Sequence, residues 1–252
     1  MIKSVLNRYK SFPIQVKASL WFLICSFLQK GISTVTTPIF TRIMNTTEYG
    51  QYNVFNSWLS IASIFVSLSL TGGVYAQGLV KFEKDRNVFT SSLQGLTLLL
   101  VAVWMVIYFI FHDFWNQLFT LSSVQMIAML VIIWTTAVFS FWSTEQRVNY
   151  KYKALVVITL VVSLAKPMVG IFCVSVTNDK VSARILGIAL VELIGYAWLF
   201  FIQVKRGEVL FSKKYWVYAL SFNLPLVPHY LSQTVLNSAD RIMIRDLVGP
   251  SD

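Results

Sequence analysis

TSSLQGLTLLLVAVWMVIYFIFH, residues 90–112, runs for 23 residues without an Asp, Glu, Lys or Arg. At 1.5 Å per residue it makes a helix of roughly 35 Å, enough to cross the ~30 Å hydrocarbon core of a bilayer. Blocks of the same kind recur at 18–43, 52–79, 123–144, 154–176, 183–203 and 216–245, separated by brief charged stretches. The sequence therefore predicts an all-α polytopic membrane protein of about seven transmembrane helices, with connecting loops of about ten residues at most.

Composition agrees with this. The 252 residues are 56% hydrophobic and 13% charged, roughly half the charged fraction of a soluble domain. Mean hydropathy is +0.64. The net charge of +10 is dispersed over short loops and forms no concentrated basic face, so no nucleic-acid partner is expected. Cys25 and Cys173 each lie inside an apolar block, and HExxH, paired CxxC and GxGxxG are all missing. No disulfide, metal site or cofactor is expected. Lys3, Arg8, Lys10 and Lys17 precede the first block as a signal peptide's basic region would. That block runs to Ile43 without a small-x-small cleavage site, so it is read as a retained span.

Fourteen lysines and arginines fall in the N-terminal stretch and in the loops after spans two, four and six. Five (Arg42, Lys180, Arg184, Arg241 and Arg245) fall on the opposite side. The positive-inside rule then places the N-terminus in the cytoplasm. TTEYGQY, residues 46–52, becomes an outward-facing polar interruption beside an aromatic belt of Tyr49, Tyr52, Phe55 and Trp58.

That interruption has a counterpart. RIMNTTE, residues 42–48, aligns without a gap on DLVGPSD, residues 246–252, at an offset of 204 residues. Ile43 meets Leu247, Thr47 meets Ser251 and Glu48 meets Asp252. Both follow helices carrying proline: Pro38 in the first, Pro225 and Pro228 in the last. Parallel six-helix repeats are a transporter architecture with substrate at the repeat interface. The expected division is a six-helix lobe, 1–214, followed by the first helix of a second, truncated lobe, 215–252. An N-terminal-half fragment of a longer protein is the expectation.

FTRIMNTTEYGQYNVFNSW (residues 40–58), LTGGVYAQGL (70–79), and Asn223, Pro225, Pro228-His229 and Ala239-Asp240-Arg241 of span seven carry a resemblance. They resemble the polysaccharide flippases of the multidrug/oligosaccharidyl-lipid/polysaccharide exporter superfamily, which have an acidic residue, Tyr and Gly just after the first helix. Asn45-Thr46 departs from the Gly-Pro usual at that turn, which Gly249-Pro250 supplies in the second copy. The resemblance implies a non-enzymatic exporter in a bacterial inner membrane. Its cargo would be polyprenyl-diphosphate-linked oligosaccharide for surface polysaccharide such as O-antigen, capsule or exopolysaccharide. Its partners would be that lipid-linked glycan, membrane lipids and other polysaccharide-assembly membrane proteins. A cation-coupled multidrug antiporter of the same superfamily is the alternative.

An ionisable side chain at mid-bilayer costs roughly 2.5–3.5 kcal/mol on insertion scales, so it needs a cavity or a partner. Lys30, Lys166, Glu192 and His229 lie near the centres of their spans. Lys30 shares a helical stripe with Ser26, Thr34, Thr37 and Thr41. Asn53, Asn56, Ser60, Ser63, Ser67 and Thr71 form another in span two, and Tyr230, Thr234, Asn237 and Arg241 a third in span seven. Close helix packing explains such stripes as well as a wet chamber does. The expected cavity residues are Lys30, Thr34, Thr37, Asn56, Lys166, Asn237 and Arg241. Glu192, His229 and Asp240 are candidates for ion coupling. Lys166 and Glu192 are equally read as a structural pair, His229 as a hydrogen-bonder at a helix kink, and Asp240 with Arg241 as a local ion pair. Pro38, Pro167, Pro225 and Pro228 are candidate hinges or static kinks.

Overall fold

The computed structural model describes residues 12–247, and all regular structure among them is helical. The helices are α1 (Ile14–Ile43), α2 (Thr46–Ser67), α3 (Gly73–Lys81), α4 (Arg86–Ile110) and α5 (His112–Phe119). They continue with α6 (Ser123–Val148), α7 (Tyr152–Val176), α8 (Lys180–Gly207), α9 (Lys213–Asn223) and α10 (Val227–Leu247). Short 3-10 turns lie at Glu83–Asp85 and Leu224–Leu226. In α10 the side chains of residues 237–242 and 244–247 lie outside the described residues.

Among the described residues, five helices are long and apolar enough to cross a membrane: α1, α4 with its preceding turn, α6, α7 and α8. The protein is a multi-pass helical membrane protein. Two of the seven expected spans are not continuous helices. Span two is α2 and α3, broken where Leu68 and Ser69 take φ of 47° and 51°. Gly72 and Gly73 follow two residues later and weaken any helix through them. Span seven is α9 and α10 with a 3-10 turn between, because Pro225 and Pro228 lack the N–H that would carry the ladder on. Broken helices survive at membrane depth only when freed backbone groups find partners. Here Asn223 Nδ2, at the end of α9, donates to the Leu68 carbonyl at 3.0 Å and so satisfies a backbone group freed by the break in span two.

The start of span two also differs from the expectation. TTEYGQY is no interruption but the first turns of α2, beginning at Thr46. Asn45 Oδ1 accepts from Glu48 N at 2.7 Å, and Glu48 Oε2 accepts from Asn45 N at 2.8 Å. This reciprocal cap satisfies two donors that a helix start leaves unpaired. Asn45→Ala removes one arm and is expected to lower stability by about 1 kcal/mol, read as a lower unfolding temperature in detergent, while Asn45→Asp retains it.

Contacts between connections sort the bundle into two ends. At one, Lys180 Nζ donates to the Ile43 carbonyl at 2.9 Å and lies 3.6 Å from Glu48. At the other, Arg86 reaches Asn149, Arg206 pairs with Glu145 at 3.0 Å, and Tyr215 donates to Asp85. The second end gathers the helix ends and connections that hold Lys84, Arg86, Lys151, Lys205 and Lys213; we call it the basic end and the first the capped end. Between them α8 is the hub, packed against α4, α6 and α7. Helix α1 lies along α7, and α10 along α2. One apolar core sits near the capped end around Phe55, Met129 and Ile185, and a second near the basic end around Tyr75, Phe89 and Phe141. A third fills the space between α6, α7 and α8 around Val138, Val162 and Leu199.

Candidate functional site

Among the described residues, polar side chains line two hollows in this apolar bundle. The first is a cleft of about 280 Å³ between α1, α2, α7 and α8. Gln29, Ser33 and Thr36 line it from α1, Ser163 and Lys166 from α7, and Arg184 from α8. Gln29 Nε2 donates to Ser163 Oγ at 3.1 Å and ties its two long walls together.

Behind Lys166 lies Glu192, 4% exposed. Lys166 Nζ donates to Glu192 Oε1 at 2.5 Å. The other carboxylate oxygen accepts from Thr135 Oγ1 at 2.9 Å and Thr136 Oγ1 at 3.1 Å. Three donors from two other helices thus hold one buried carboxylate, as a buried charge requires. The expected structural pairing of Lys166 with Glu192 is present. Lys166 itself is only half-buried, with its ammonium reaching inward from the cleft wall.

The second hollow is a groove of about 440 Å³ between α2, α6 and the start of α10. Ser60, Ser63 and Ser67 line one wall, Thr136 and Ser140 the other, and Tyr230 faces them. The three serines donate to carbonyls of their own helix at 2.7–2.9 Å. Their hydroxyls therefore offer lone pairs to the groove rather than hydrogens. Thr136 belongs both to the groove and to the Glu192 cage. Cleft, ion pair and groove form one polar band through the bundle.

Lys30, Thr34 and Thr37 are exposed and do not line the cleft. The face of α1 that does, Gln29, Ser33, Thr36 and Phe40, is the expected stripe displaced by one residue. Thr34 and Thr37 donate to carbonyls one turn back, at 2.9 Å each. Asn56 is half-buried on α2 and donates to the Tyr52 carbonyl. The structure does not bring Lys30 and Lys166 into one site. His229 is exposed, beside Tyr230. The side chains of Asn237, Asp240 and Arg241 lie outside the described residues. Helices α1 and α7 run unbroken through Pro38 and Pro167, whereas Pro225 lies within the 3-10 turn and Pro228 in the first turn of α10.

Arg184 was counted in the sequence only as a loop-side basic residue, yet it is buried in the cleft wall. Gln29, Ser33, Thr36, Tyr52 and Ser163 were also missed. The steps of four and three from Gln29 to Thr36 carried the same periodic signal as the stripe that was read.

The family model described as "Polysaccharide biosynthesis protein" matches residues 16–252. Protein 1 of the Lsg locus of Haemophilus influenzae is 24% identical over 258 aligned positions, covering 94% of this chain. The chain spans 58% of that relative's length. No solved structure matches it. A multi-pass helical bundle crossed by a polar band, matched by that model over nearly its whole length, belongs to the polysaccharide biosynthesis protein family.

Proposed function

We propose that this chain exports polyprenyl-diphosphate-linked oligosaccharide across a bacterial cytoplasmic membrane, for assembly of surface polysaccharide. The polar band supports the reading most. A glycan crossing hydrocarbon must exchange water for other hydrogen-bond partners, and the groove offers hydroxyl lone pairs while the cleft offers cationic and amide donors. Enzymatic chemistry is not part of the proposal. The basic end faces the cytoplasm by its charge, so the capped end faces outward. Alternating access arises from rocking against a second lobe, with the broken helices α2–α3 and α9–α10 near the moving interface. An anion leaving an inside-negative cell gains about 2.3 kcal/mol per charge per 100 mV.

Lys30 stands on the open face of α1 and offers a second cation to a diphosphate in this scheme. Deleting the gene in its host is expected to abolish the surface glycan and leave lipid-linked oligosaccharide on the inner leaflet. Unchanged surface glycan would sink the reading. Complementation with Lys30→Ala should restore insertion but less than a tenth of export, with Lys30→Arg retaining it, a drop of ~1.4 kcal/mol or more.

A further inference from the structure

Arg184 has no carboxylate partner among the described residues. It is 8% exposed, in the second turn of α8, at the capped end of the cleft. Its guanidinium carbon lies 3.7 Å from the Phe40 ring centroid and 3.6 Å from that of Tyr52, with Tyr49 at 5.4 Å. Rings that close on both sides satisfy the flat faces of the cation and lock its plane. Beside the N–H groups around its edge, Tyr49 and Tyr52 bring neutral phenol groups and no anion. Nη1 donates to the Met44 thioether at 3.6 Å, and Nε has no hydrogen-bond partner among the described residues. A thioether is a weak acceptor. A buried charge with unfilled donors is costly unless something else completes it.

The cleft supplies the room. It follows α1 from Phe40 back to Gln29, eleven residues and so roughly 16 Å of helix. Lys166 stands at the other end, with its charge already answered by Glu192. Arg184 is therefore the one cation of this cleft left without a balancing anion among the described residues. Ser33 contributes a hydroxyl, and Gln29 has a second amide N–H beyond the one given to Ser163. An anion with several oxygens fits this donor set, and a guanidinium fork matches phosphate oxygens in pairs.

We propose that the cleft between α1, α2, α7 and α8 seats a phosphate-ester lipid headgroup, gripped by Arg184 between Phe40 and Tyr52. The seat lies at the cleft end of the polar band, and Lys166 and Gln29 hold the far end of the headgroup. It rests on the export reading only for what supplies the phosphate: a polyprenyl diphosphate cargo or an anionic phospholipid. Either source brings the same chemistry.

The test uses the purified full chain in neutral detergent. Bound lipid is counted by native mass spectrometry during titration with dioleoylphosphatidylglycerol, undecaprenyl diphosphate, or the phosphate-free controls diacylglycerol and undecaprenol. The expected result is saturable binding of at least one phosphate lipid and of neither control. Arg184→Gln should weaken it at least ~10-fold and Arg184→Lys less, since an ammonium keeps the charge without the fork. Should Arg184→Gln not fold, Ser33→Leu fills the cleft from the exposed face of α1 and is expected to displace the lipid. Preference for undecaprenyl diphosphate marks a cargo seat, and preference for phosphatidylglycerol a resident-lipid seat; both support the proposal. Failure of the wild type to bind either phosphate lipid overturns it, as does wild-type affinity in Arg184→Gln or, where that variant does not fold, in Ser33→Leu. None of these outcomes touches the export reading, which the surface glycan tests separately.

Discussion

Lys166→Met is expected to lower stability by about 3 kcal/mol, although part of its side chain is open to the cleft. The cause is what the substitution leaves behind. Glu192 is 4% exposed, and the two threonine hydroxyls that remain cannot balance a full negative charge. Adding Glu192→Gln to Lys166→Met should recover most of the loss, because a neutral amide oxygen still accepts from Thr135 and Thr136. Reversible unfolding of the single and double variants in mixed detergent measures this. Recovery in the double variant identifies the stranded charge as the cause; equal destabilisation of both would show that the packing of the lysine stem matters instead. Export separates the two readings of the pair. A purely structural bond predicts that the stable double variant exports normally. The export scheme predicts at least a tenfold loss, because the cleft wall has lost its ammonium.

The placement of this pair shows what could be read from the sequence. Mid-span Lys166 and Glu192 stood out because lone charges in hydrocarbon are expensive, and the structure places them in contact. Long uncharged runs were equally legible, which is why α1, α4, α6, α7 and α8 follow the expected spans closely. Arg184 was not legible, because a residue four positions into a helix counts as loop-side charge on any linear map. Its burial depends on Phe40 and Tyr52 arriving from two other helices. The polar stripe of α1 was found, but on the wrong face. Residues 29–37 contain two interleaved rows at steps of four and three, and only the packing of α1 on α7 selects Gln29, Ser33 and Thr36 over Lys30, Thr34 and Thr37. The breaks in spans two and seven were hidden for a related reason. Gly72, Gly73 and Pro225 signal weakness locally, but whether a helix bends or breaks depends on a distant partner such as Asn223.

Gly207→Ala is expected to cost about 3 kcal/mol, the upper part of the usual range for overpacking, because what it meets cannot turn aside. Gly207 ends α8 at the basic end, and Glu208 follows in the left-handed conformation at φ 59°. The chain then lies flat along α4: Ser91 Oγ donates to the Val209 carbonyl at 2.9 Å, and Trp216 Nε1 to the Ser92 carbonyl at 2.8 Å. A methyl group on Gly207 would sit 2.2 Å from the Asn87 carbonyl oxygen and 2.3 Å from Ser91 Cβ. Two turns along, a methyl on Gly95 would sit 2.1 Å from the Leu210 carbonyl oxygen. Neither obstacle is a flexible side-chain tip, so the connection must lift from α4 as a unit. That movement pulls on both hydrogen bonds and on the packing of α9. Gly95→Ala should therefore cost a similar amount, and the double variant less than twice as much, because the first displacement makes room for the second methyl. Unfolding temperatures of the two single variants and the double variant in detergent complete the cycle. Gly207→Ala at the wild-type temperature would mean that α8 does not end flush against α4, and strict additivity would mean that the two glycines do not share one contact.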